Sequence, residues 1–106
     1  MAGRDNCGVT RLEKLLDDYL NTSFPDSVVK GTDYGEVDPV MIGADIYGWA
    51  SQVAKGQPLE DRERRSLAQL RDSLERSLGS FPPPARSFYE TLLEIATAAL
   101  SRDSTP

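Results

Sequence analysis

Apolar residues recur at helical spacing in four stretches of the chain, and nowhere do they alternate over a useful length as a strand would require. Leu12, Leu15, Leu16, Tyr19 and Leu20 fall on one side of a helix, with Glu13, Asp17 and Asp18 on the other, which predicts a first helix over Arg11–Asn21. Thr10 and Glu13 are spaced as a capping box, in which the hydroxyl and the carboxylate each satisfy a backbone N–H at the helix start. The apolar staple that often accompanies such a box is missing, because Lys14 stands where a partner for Val9 is needed.

The third helix is predicted within Pro58–Gly79. Its first turn carries Glu60, Asp61 and Glu63, which suits the positive end of the helix dipole, and its apolar seam is only Leu67, Leu70, Leu74 and Leu78. Glu60/Arg64, Asp61/Arg65 and Asp72/Arg76 are spaced for surface ion pairs, and Gly79 is placed to cap the end. A stiff Ser80–Ala85 turn rich in proline leads into a fourth helix over Pro84–Ser101. Phe88, Leu92, Ala96, Ala99 and Leu100 give it a buried face, widened by Tyr89, Leu93 and Ile95.

The second helix is the unusual one. Asp38-Pro39 is a favourable start, since aspartate caps and proline at the first helical position loses no hydrogen bond. Gly56 and Pro58 stop it after Ala54. Between these points Val40, Met41, Ala44, Ile46, Tyr47, Trp49, Ala50 and Val53 cover most of the circumference, the signature of a central helix. Asp38, Asp45 and Gln52, spaced by seven, mark a narrow polar stripe near Gly48 and Lys55. Two readings of Asp45 follow: it lies on the one wet stripe, or it forms the floor of a groove that receives a cation. Gly48 beside it allows close approach, at a helix cost of about 1 kcal/mol; tight helix packing is the alternative explanation for Gly43.

Ser23–Val37 joins the first two helices, and a connection of that length usually hides a short element or a function. Phe24, Val28 and Val29 are expected to anchor it, around a helical turn after Pro25, with turns at Gly31 and Gly35. The expected architecture is therefore all-α: one compact four-helix domain, residues 10–101, with an apolar central second helix and a C-terminal αα-hairpin. Residues 1–9 and 102–106 are expected as polar tails.

Charge changes this picture more than composition does. Residues 1–53 hold four Lys/Arg against nine Asp/Glu, and residues 54–106 hold eight of each, so the whole net charge of −5 belongs to the first half. That field disfavours nucleic acid and anionic membranes and favours a basic partner; plain solubility is the simpler explanation. The "RERR" run (Arg62, Arg64, Arg65) is interleaved with Glu60, Asp61 and Glu63, which cancels its attraction for phosphates. The opening residues lack the apolar core of a secretory signal, and no stretch approaches the roughly 18 apolar residues of a membrane span. A single cysteine, Cys7, fits a reducing compartment, and a cytoplasmic location is expected.

Catalytic chemistry finds little to work with. The chain has no histidine, the commonest general base and transition-metal ligand, and Cys7 accordingly has no histidine to activate it. The glycines match neither a P-loop nor a dinucleotide fingerprint. Counted from Asp33, the third, sixth and twelfth positions of an EF-hand loop fall on Gly35, Asp38 and Ala44, so that pattern fails. Paired carboxylates can hydrolyse glycosides, but only in a deep cleft that four short helices rarely form. No enzyme activity, cofactor or metal is expected.

Asp33, Tyr34, Glu36, Asp38, Asp45 and Gly48 are the candidate partner-binding residues, an acidic and partly aromatic mouth suited to Arg or Lys side chains. The expected function is a small acidic protein-binding module. In type, though by no motif, it resembles immunity-type inhibitors that neutralise a basic toxin. Two alternatives stand beside it: a structural or regulatory subunit that dimerises through the Leu67, Leu70, Leu74, Leu78 seam, and a cation or small-ligand binder using Asp33, Glu36, Asp38 and Asp45.

Overall fold

The structure is a computed structural model that describes residues 11–103. The Thr10 half of the capping box, Cys7 and the expected tail residues 1–9 and 104–106 lie outside the described residues. Among the described residues four α-helices follow one another: α1 Arg11–Leu20, α2 Met41–Ala54, α3 Asp61–Ser77 and α4 Pro83–Asp103, with a 3₁₀ turn Leu78–Ser80 between the last two. The domain is all-α; the only strand-like feature among the described residues is a single bridge between Tyr34 and Val37.

α2 and α4 form a central pair. α1 and α3 each pack against both of them and do not touch one another. α2 is thus central, as its composition suggests, but it shares that place with α4. Small residues make the pair possible: Ala50 of α2 and Ala85, Ala96 and Ala99 of α4 are fully buried, beside Ile46, Leu92 and Ile95. Tyr89 and Ile95, expected at the margin of α4, are its buried centre, whereas Phe88 and Leu100 are half-exposed. The leucine seam of α3 faces inward: Leu67 and Leu74 are completely buried, and Leu70 and Leu78 pack on the core. That seam is engaged within the protomer, closing the α3–α4 hairpin.

Local chemistry explains the helix ends. At α2 the C-terminal stop is Gly56 at φ +84°, with the Gly56 N–H bonded to the Val53 carbonyl (3.0 Å) and the Gln57 N–H to that of Gln52 (3.1 Å). This pattern satisfies carbonyls the helix leaves open and needs a left-handed residue, hence glycine. At α3 the Glu63 carboxylate accepts the Glu60 N–H (3.0 Å), half of a capping box. Gly79 lies inside the 3₁₀ turn and not at a left-handed cap.

α4 runs past the expected Ser101 to Asp103, and the difference has a physical cause. The Asp103 side chain is 1% exposed and accepts from the Leu59 N–H (3.0 Å) and the Arg64 Nε (2.6 Å). Those two bonds tie the end of α4 to the start of α3, so Arg102 and Asp103 belong to the fold and not to a tail.

All four tyrosines and all three phenylalanines form one connected set of rings. Tyr34 stacks on Phe81, Phe81 on Tyr89 (centroids 3.9 Å), Tyr89 meets Phe88 edge-on, and Phe88 touches both Phe24 and Tyr19, which stacks on Tyr47. This set fastens the long connection between α1 and α2 to the core, helped by buried Val28, Val37 and Pro39. A turn closed by the Val28 N–H on the Pro25 carbonyl replaces the expected helical turn, and Val29, expected as an anchor, is 60% exposed.

Candidate functional site

The acidic connection reaches α2 through a tight turn. Tyr34 and Val37 exchange backbone hydrogen bonds (2.9 and 3.2 Å) around Gly35-Glu36. Gly35 has φ +61°, and a Cβ there would stand 2.6 Å from the Ser77 hydroxyl oxygen, so the turn needs glycine for both conformation and space. Ser77, buried at the end of α3, accepts the Glu36 N–H (2.9 Å). Immediately afterwards the Asp38 carboxylate accepts the N–H groups of Val40 (2.9 Å) and Met41 (2.8 Å) and so starts α2, as its sequence position implies.

The six residues singled out from sequence divide into two sets. Tyr34, Glu36 and Asp38 have work inside the fold. Glu36 forms a two-pronged ion pair with Arg76 of α3, both bonds 2.8 Å, and that guanidinium holds the Glu36 carboxyl below the usual carboxylate range. Tyr34 accepts the Val29 N–H at its hydroxyl (2.9 Å) and stacks one ring face on Phe81. Asp33, Asp45 and Gly48 make up the other set: Asp33 is exposed, Asp45 half-buried, and neither forms an ion pair among the described residues.

The carboxylates do not converge on a point. Among the described residues no three Asp, Glu, His or Cys side chains lie together as a metal ion requires. Asp38 and Asp45 are seven helical positions apart, about 10 Å along the axis. Asp33, Glu36, Asp38 and Asp45 are thus not gathered into a metal-ligand cluster among the described residues.

The outward face of α2 also differs from the expected narrow polar stripe. Met41 (57% exposed), Ala44 and Gly48 face water, with Val40 (42% exposed) beside them, Asp45 on the flank and Lys55 at the far end. Gln52, expected on the stripe, turns to the next connection and donates to the Pro58 carbonyl (3.1 Å) and the Glu63 carboxylate (3.5 Å). The two helix glycines have opposite surroundings. A Cβ on Gly43 would come within 2.6 Å of the Tyr19 hydroxyl, so Gly43 serves the α1–α2 packing. Around Gly48 there is open space.

Long-range ion pairs were not legible in the sequence. Arg64 bonds Asp61 and Asp103 rather than Glu60, Arg76 bonds Glu36 rather than Asp72, and Arg11 on α1 bonds Glu94 on α4 (2.7 Å). Spacing along a helix reports only neighbours on the same helix. A groove of about 530 Å³ between α1 and α4, lined by Leu12, Leu93, Thr97 and Ala98 with Arg11, Glu94 and Arg102 at its rim, was likewise unannounced.

The chain matches no protein-family model, no curated protein and no solved structure. No helix among the described residues is long and apolar enough to cross a membrane.

Proposed function

We propose that this protein is a non-catalytic binding module whose acidic half, the α1–α2 connection and α2, recognises a basic protein partner. One observation carries the reading. Between Asp17 and Val53 seven carboxylates stand against one lysine, Lys30, and only Glu36 has an ion-pair partner. Asp17, Asp18, Asp26, Asp33, Asp38 and Asp45 have none among the described residues. Uncompensated charge of one sign steers an oppositely charged partner and speeds its association. The lack of histidine supports a binding role over catalysis. An inhibitor that covers the cationic site of a basic enzyme is the concrete form this chemistry suits.

The test uses the whole protein as bait in lysate of its source, at low and moderate salt, beside the variant D26N/D33N/D45N. Asp38 and Glu36 are left intact because their loss would disturb the α2 start and the turn. A basic protein held by the wild type and released by both the substitutions and the salt is the expected result. A partner held equally by both baits, or one that is itself acidic, overturns the reading.

A further inference from the structure

Resting on that reading, we infer that the partner element is an amphipathic basic helix, which lays its apolar side along the outward face of α2 at Val40, Met41, Ala44 and Gly48 and sets a cation on Asp45. Three features of this face point to such an occupant. Val40 and Met41 are two of the four exposed large apolar side chains among the described residues, and they sit together at the start of one helix. Ala44 and Gly48, one turn apart and both exposed, carry too little bulk to keep a second helix away, and among the described residues a Cβ on Gly48 would meet nothing. An apolar helix face seated this way is a recurrent mode of peptide recognition.

Charge chooses between occupants. Asp45 flanks the face and, like Asp33 in the connection leading to α2, has no ion-pair partner among the described residues, while Lys55 lies two turns beyond Gly48 on the same helix. A second copy of this chain would bring the same excess of carboxylates against itself, and like charges disfavour the pairing. A helix with lysine or arginine flanking its apolar stripe meets both the exposed methionine and the free carboxylates. Gly48 is informative here, because in an exposed helix interior it weakens α2 without any packing return within the protomer.

The experiment titrates the full chain with a synthetic 18-residue helix bearing leucine on one face and lysine on the other, following the fluorescence of Trp49, the only tryptophan. A scrambled peptide of the same composition and an acidic twin serve as references. Expected are preferential binding of the amphipathic basic peptide, at least tenfold weaker binding by G48L, and a melting temperature for G48L equal to or above wild type, which removes misfolding as an explanation. Unchanged affinity in G48L overturns the proposal. If the scrambled basic peptide binds as well as the amphipathic one, and D26N/D33N/D45N weakens both, the helix proposal falls while the acidic-surface reading stands. If no basic peptide binds, both fall. Sedimentation showing a dimer that G48L dissociates assigns the face to a second copy and also overturns the proposal.

Discussion

The α3–α4 hairpin and the α1–α2 connection with α2 are both rich in carboxylates, yet they use them in opposite ways. In the hairpin, Asp61 and Asp103 hold Arg64, Asp72 holds Arg71, and Glu94 reaches across to Arg11. Around α2, among the described residues, only Glu36 finds a cation, and that cation comes from the hairpin. Neutralised charge decorates a stable surface; charge left unneutralised repels itself and opposes the compact state slightly. The second region is therefore held by something other than electrostatics, and the ring system running from Tyr34 to Tyr47 supplies it.

The largest effect is expected where that ring system crosses the central helix pair. Tyr89 is fully buried, stacked on Phe81, and its hydroxyl donates to the Pro39 carbonyl (3.0 Å). Burial pushes its phenol well above the usual value, so it remains a neutral donor throughout the working pH range. Tyr89→Ala should cost about 3–5 kcal/mol in denaturant unfolding. Tyr89→Phe, which keeps the ring and leaves the Pro39 carbonyl without its donor, should cost about 1 kcal/mol. Hydrogen exchange at the Tyr34 and Val37 amides should accelerate in the alanine variant more than exchange along α3. Equal acceleration in both regions would mean that the rings do not hold the acidic connection in particular.

Next in size is the anchor of the paired region. Asp103→Ala leaves the Leu59 N–H without its acceptor and Arg64 without its shorter ion pair, and should cost about 1–3 kcal/mol. The Leu59 N–H bond, and after it Arg64, hold the Asp103 carboxyl below its ordinary value. A carboxyl whose folded pKa is depressed stabilises fully above the unfolded value, about 3.9, and loses that contribution as pH falls through the folded one. Stabilities of wild type and Asp103→Ala should thus be parallel above about pH 5 and converge below about pH 4. A gap that stays constant down to pH 2 would contradict the assigned bonds.

How much of this was legible in the sequence follows from the range of each signal. The four helices were, because periodicity, the Asp38-Pro39 start and the Gly56 stop are local. The leucine seam of α3 was visible too, and the short proline-rich connection already favoured α4 over a second chain as its cover; the hairpin directs Leu67 and Leu74 inward. Asp103 was unreadable: its role depends on Leu59 and Arg64, both distant in sequence. Among the candidate site residues, Asp38 could be recognised as a cap. The engagement of Glu36 by Arg76 and of Tyr34 by Phe81 could not, since each depends on how the connection folds back on the hairpin. Gly43 and Gly48 look alike in sequence and differ only in what stands over them.

That pair gives the next prediction, with effects of opposite sign. Gly43→Ala forces the Tyr19 hydroxyl to move, with its ring already stacked on Tyr47 and tilted against Phe88. Overpacking of about 1–3 kcal/mol, offset by about 1 kcal/mol of gained helix propensity, leaves a net loss of about 1 kcal/mol. Gly48→Ala meets nothing and should raise stability by about 1 kcal/mol. Melting temperatures measured side by side decide the matter. If both substitutions stabilise, Gly43 is not a packing residue; if both destabilise, the space over Gly48 is not open.

The smallest effect is the most direct test of the contrast between the regions. Asp33→Asn with Asp45→Asn removes no hydrogen bond or ion pair among the described residues, so stability should change by no more than about 0.5 kcal/mol, and upward. Its sign follows from repulsion, which also fixes the response to salt. Raising the ionic strength to about 0.1 M shortens the screening length to about 10 Å, which relieves repulsion between exposed carboxylates spaced along the connection and α2. Salt also weakens the exposed ion pairs of the hairpin, but wild type and variant share those pairs, and their contribution cancels in the difference between the two. The wild type should therefore gain more from salt than the variant, and the small advantage of the variant should vanish. A variant less stable than the wild type at low salt, with a deficit that shrinks as salt is raised, would mean that Asp33 and Asp45 are held by attraction within the fold, and the acidic half would then be neutralised like the hairpin rather than left open for a partner.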